Sequence, residues 1–146
     1  MSTAKLLEPI LNFLHAPTPD AWIDEAFAMF AGVYLLEEIS QPGLMDYSAF
    51  FVINPDMPLI HFLSYYSYNQ VKLWLTFMYE HYGGSNLIST LIQDQSNGVK
   101  GVRNTLNQLG YLESFEETFE HWVLTNYLDD EQYMNGHYGY HHYNFL

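Results

Sequence analysis

Two acids are set into strongly apolar surroundings near the N-terminus: Glu8 in Leu6-Leu7-Glu8-Pro9-Ile10-Leu11, and Glu25 in Trp22-Ile23-Asp24-Glu25-Ala26-Phe27. Carboxylates in such settings are candidates for general-base work or for holding a metal ion. A catalytic zinc site commonly takes two histidines at i and i+4 of one helix, a glutamate beside the first as general base, and a third ligand from a later helix. The spacing works because i and i+4 project from one helix face, so two imidazoles can reach one ion. Residues 7–11 have the frame of H-E-x-x-H with Leu7 and Leu11 at both histidine positions, so only the general-base position, Glu8, keeps its residue type. Glu25 stands where a third-ligand glutamate would come from the next helix.

A second constellation lies in the tail, where His137 and His141 are four apart and close to Asp129, Asp130 and Glu131. A divalent metal could bind such a pair on a helix, but Gly136 and Gly139 argue for an extended segment that splays it. His15, His61, His81 and His121 form no i,i+4 pair and read as packed or surface residues. There is no Gly-rich phosphate loop, no recognisable Ser-His-Asp pattern and no cysteine nucleophile.

The elements that would position these groups are helical. Leu7, Ile10, Leu11 and Leu14 step at helical spacing, and Pro9 is tolerated only in a first turn, so a helix is expected from about Leu6 to His15. Thr18-Pro19-Asp20 starts a second helix that runs to about Ile39; it is apolar nearly all round and suits a central, buried position. Residues 41–64, with Pro42, Gly43, Pro55 and Pro58, read as loop with a short strand at Ala49 to Ile53. Further helices are expected from about Tyr68 to Tyr82, from a Ser85 cap to Gln93, from Val99 to Leu109, and after a Ser114-Phe115-Glu116-Glu117 capping box. The last of these should turn Phe115, Phe119, Trp122, Val123 and Tyr127 inward. The sum is an all-α single domain over 1–146 of about six helices, with an irregular tail over 131–146.

Composition narrows the partners. Four Lys plus Arg against 17 Asp plus Glu give a formal charge of -13, which repels nucleic-acid phosphates and anionic lipid. No run approaches the ~18 apolar residues of a membrane span, and the N-terminus reads poorly as a signal peptide, which leaves the compartment open. The absence of Cys excludes a thiolate metal site. Thirteen tyrosines could line a sugar-stacking surface, but Tyr also fills cores while giving its hydroxyl a partner.

At several points the chain resembles the C-terminal helical half of secreted bacterial zinc metallopeptidases of the hyicolysin and immune-inhibitor-A-like kind. In those enzymes a W-x-x-E-G/A segment follows the active-site helix and supplies a ligand. The matching stretches are Trp22 to Ala26, Asn54-Pro55, Pro58 to Ile60, Tyr79 to Gly84, Asn97 to Val102, Phe115 to Trp122, Asn126 to Asp130 and Gly136 to Tyr140. The resemblance implies a zincin-type subdomain, with Glu8 as a vestigial general base and Glu25 as a vestigial zinc ligand. It also implies that the strand and helix building the substrate cleft would lie upstream of the degenerate motif.

Leu cannot coordinate zinc, and one carboxylate would not retain the ion against water. The expectation is therefore a non-catalytic, metallopeptidase-like domain without cofactor, serving in binding or assembly with a protein partner or as a homo-oligomer. One alternative is a zinc peptidase, or a fragment of one, using Glu25 and non-standard ligands. Another is an acidic metal- or carbohydrate-binding module built on the His- and Tyr-rich tail.

Overall fold

The structure is a computed structural model that describes residues 21–39, 56–61 and 67–141. Among these residues the fold is all-α. It comprises α1 (Ala21–Ile39), α2 (Ser67–His81), α3 (Ser85–Gln93), α4 (Gly98–Leu109), α5 (Phe115–Leu128) and a 3-10 turn at Tyr133–Gly136. No strand occurs among the described residues, where Asp130 and Tyr138 form an isolated antiparallel bridge. The helix expected over Leu6 to His15, with Leu7, Glu8 and Leu11, and the strand expected at Ala49 to Ile53 lie outside the described residues.

The capping box before α5 forms as its residue types dictate. The Ser114 side chain accepts the Glu117 amide at 3.2 Å, and the Glu117 carboxylate accepts the Ser114 amide at 2.7 Å. At α3 the cap is Gly84 and not Ser85, which is instead the first helical residue. After α2, Gly83 and Gly84 both take positive φ (107° and 59°), so the chain can turn sharply and leave Glu80, His81 and Tyr82 at the helix end.

The central helix is α2. From Ser67 to Met78 every residue but Tyr68 is buried, polar Ser67, Asn69, Gln70, Lys72 and Thr76 included. By contrast α1 is buried at Trp22, Ile23 and Ala26 but exposes Ala28, Ala31 and Gly32. Its even hydrophobicity had suggested the central role, but small residues do not fix which side is covered. Helix α1 packs along α2, α3 packs against α4 and α2, and α4 touches α1 and α5.

An aromatic junction ties α1, α2 and α5 together. Trp22 meets Trp74 edge-on at 5.0 Å, and Phe115 lies 6.1 Å from each. Such pairs add about 1 kcal/mol each beyond their buried area. Both indole N–H groups are buried without a hydrogen-bond partner among the described residues, which costs about 1–3 kcal/mol apiece.

Candidate functional site

The densest gathering of titratable side chains forms where the tail returns to the ends of α2 and α5. Helix α2 supplies Glu80 and His81, with Tyr82 just after it, and α5 supplies His121, Trp122 and Asn126. The chain leaves α5 through Asp129 in the left-handed region, turns at Tyr133–Gly136 and runs back, with the Asp130 amide donating to the Tyr138 carbonyl at 3.0 Å. The turn is held by Asp130, whose Oδ1 accepts the Gln132 and Tyr133 amides at 2.9 and 3.1 Å.

Tyr140 anchors the tail. Its ring is fully buried, and its hydroxyl accepts from Trp122 Nε1 at 3.0 Å and donates to Asn126 Oδ1. Its amide donates to Asp129 Oδ1 at 3.2 Å, and the next amide, of His141, donates to Glu80 Oε2 at 2.9 Å. Burial holds the Tyr140 hydroxyl well above its ordinary range, so it stays a neutral donor. Gly139 is needed for this approach: a Cβ there would lie 2.7 Å from the Glu131 nitrogen and 2.9 Å from the Asp130 carbonyl carbon.

Four imidazoles meet here, His81 and His121 from the helices and His137 and His141 from the strap itself. His81 and His121 lie 5.1 Å apart, both against Phe77; His137 stacks on His121 at 4.1 Å, and His141 lies 6.0 Å from His81. The ring N–H groups of His81 and His121 are spent on the tail backbone. His81 Nε2 donates to the Gly139 carbonyl at 3.0 Å, and His121 Nε2 donates to the His137 carbonyl while its Nδ1 accepts the Tyr82 hydroxyl at 2.9 Å. Burial lowers the His81 pKa to about 4; the Gly139 carbonyl opposes this, and His121, His141 and His137 reinforce it. His121 is lowered too, chiefly by burial, against the pull of the His137 carbonyl. Both rings are therefore neutral near pH 7, and the cluster works as a latch on the tail.

The residues singled out by sequence are distributed differently. Glu25 sits half-buried on α1; burial and the adjacent Asp24 raise its pKa, and burial, with the Glu25 charge second, raises that of the Tyr68 hydroxyl. His137 and His141 are divided between His121 and His81. His61 is exposed, and Glu8, His15 and His142 lie outside the described residues. Among the described residues no group of three or more His, Cys, Asp or Glu side chains is arranged to hold a metal ion. Glu25 has Asp24 next to it in the chain, and His121 has both ring nitrogens engaged.

Sequence reasoning missed His81, His121, Tyr82 and Tyr140 as one cluster. The available signal was the pair Gly136 and Gly139 among Tyr and His, marking a backbone that must approach another closely. Compared with protein-family models, with characterised proteins and with solved structures, the chain matches none.

Proposed function

We propose that the chain is a non-catalytic binding or assembly domain, descended from a zincin-type C-terminal subdomain whose ligand position survives as packing. The observation that carries this reading is the company of Glu25. The group that the resemblance casts as a zinc ligand follows Asp24 directly, and burial together with that second acid raises its pKa, a setting that disfavours a bare carboxylate. The histidines, meanwhile, fasten the tail through His81 and His121. Binding is favoured over structural filler because α5 leaves apolar side chains in water, with Tyr127 85% and Val123 47% exposed.

The test is metal content and peptidase activity of the purified full chain after dialysis against zinc. The expected outcome is no stoichiometric zinc and no hydrolysis of a casein substrate. Stoichiometric zinc lost on Glu25→Ala would overturn the reading in favour of a peptidase; zinc lost on His137→Ala with His141→Ala would overturn it in favour of a metal-binding module.

A further inference from the structure

Helix α5 shows two sides of opposite character. Phe115, Thr118, Trp122 and Thr125 face the core, whereas Val123, Leu124, Tyr127 and Leu128 form two i,i+4 pairs on the outside. The four exposed side chains make one continuous apolar strip over the C-terminal half of the helix. The strip adjoins a cavity of about 290 Å³ between α5, α2 and the segment at residues 56–61; Val123 and Tyr127 belong to its wall together with Met57, Gln70, Phe119 and Asn126. That volume is at the bottom of the range for small-molecule pockets, and it suits one large apolar side chain better than a cofactor. One polar group stands open there: Asn126 Oδ1 accepts the Tyr140 hydroxyl, and its buried Nδ2 has no hydrogen-bond partner among the described residues.

Acids flank the strip on both sides along the chain. Asp56 stands in the cavity wall, Glu117 and Glu120 precede the strip on α5, and Asp130 and Glu131 follow it. No Lys or Arg occurs after Arg103, and Arg103 is paired with Glu116. A second copy of this chain would bring the same acids against themselves, which disfavours a symmetric dimer on this face. An anionic membrane is disfavoured for the same reason.

We infer that the outer face of α5 docks a cationic amphipathic helix of a partner protein, with one large apolar side chain entering the cavity beside Asn126 and the partner's Lys and Arg meeting the acidic rim. This rests on the reading of the chain as a binding domain and names its partner class. Apolar contact supplies the affinity, and the charges supply rate and orientation.

The experiment titrates the full chain with a fluorescent synthetic helix of Leu and Lys, beside a Leu/Glu helix of the same pattern and an unstructured Lys/Gly/Ser peptide of the same charge. The Leu/Lys helix should bind, weakening as salt screens the rim, and neither control should match it. Val123→Ser with Tyr127→Ser, both exposed positions, should weaken binding by about 10-fold or more. Met57→Trp, which fills the cavity without changing charge, should do the same, with unfolding midpoints measured on each variant. Equal binding of the Lys/Gly/Ser peptide, equal binding of the Leu/Glu helix, or binding indifferent to these variants would overturn the inference, as would a dimer in sedimentation that the double variant dissociates. These outcomes are separable from failure of the binding-domain reading, which metal content and hydrolysis decide.

Discussion

Acidification should unlatch the tail. His81 is neutral where it meets the Gly139 carbonyl, with its pKa lowered from 6.5 to about 4, whereas in the released chain it returns to its ordinary value. Between those values the released state binds more protons than the docked one, so docking strengthens as pH rises. Its contribution is fully present above about pH 6.5 and is lost as pH falls toward 4. At 1.36 kcal/mol per pKa unit the difference is at most about 3 kcal/mol. The ring keeps part of its solvent contact, so about half of that is a fair expectation. His121, lowered chiefly by burial, acts in the same direction. Hydrogen exchange at the amides of Asp130, Tyr140 and His141, corrected for intrinsic pH dependence, reads the docked state directly. Protection should fall about 10-fold between pH 7 and pH 5. In His81→Gln, which keeps an N–H donor without titrating, most of that dependence should vanish. Equal protection at both pH values, or full dependence retained in His81→Gln, would refute this account.

Other changes have signs fixed by contacts already described. Tyr140→Phe strands the Trp122 indole N–H in a buried site and should cost about 1–3 kcal/mol in chemical unfolding, with loss of tail protection. Ser114→Ala removes the side-chain half of the capping box and should cost about 1 kcal/mol, read as a lower urea midpoint at unchanged slope. Glu25→Gln should leave stability within about 0.5 kcal/mol or raise it slightly at neutral pH, because a carboxyl whose pKa burial and Asp24 raise is disfavoured when charged. A large loss in that variant would show that the carboxylate is doing something its described neighbours do not explain.

Local signals in the sequence carried over well. Ser114 and Glu117 specify a helix start through their own hydrogen bonds. Where covering depends on distant chain, the reading failed. Val123 and Tyr127 share a periodicity with Trp122 that suggested an inward face, yet only Trp122 meets Tyr140. The centrality of α2 was hidden by Ser67, Asn69, Gln70 and Lys72, polar residues that depress its apparent hydrophobicity although all are buried. His81 and His121 are forty positions apart, and neither carries a mark that they meet under a returning tail. The latch is a long-range pairing, legible only through the glycines that permit it.

Latch and docking strip share α5, and this couples them. His121, Trp122 and Asn126 hold the tail, while Val123 and Tyr127, one position along, belong to the outer strip. The docked tail returns Asp130 and Glu131 to the end of that strip and engages the Asn126 Oδ1 through Tyr140, which orients the unpartnered Nδ2 in the cavity wall. Gly139→Ala tests the coupling without touching either surface. The added Cβ would press on the backbone of Glu131 and Asp130, which cannot yield as a flexible side chain would, so the strap must lift. Overpacking of this kind costs about 1–3 kcal/mol, enough to release the tail while the aromatic junction of Trp22, Trp74 and Phe115 keeps the helices together. Affinity for the Leu/Lys helix should then fall several-fold at neutral pH, and the wild-type chain should show the same loss on acidification. An unchanged affinity in a variant whose tail exchanges freely would mean that the strip binds independently of the latch, with the histidine cluster serving the fold alone.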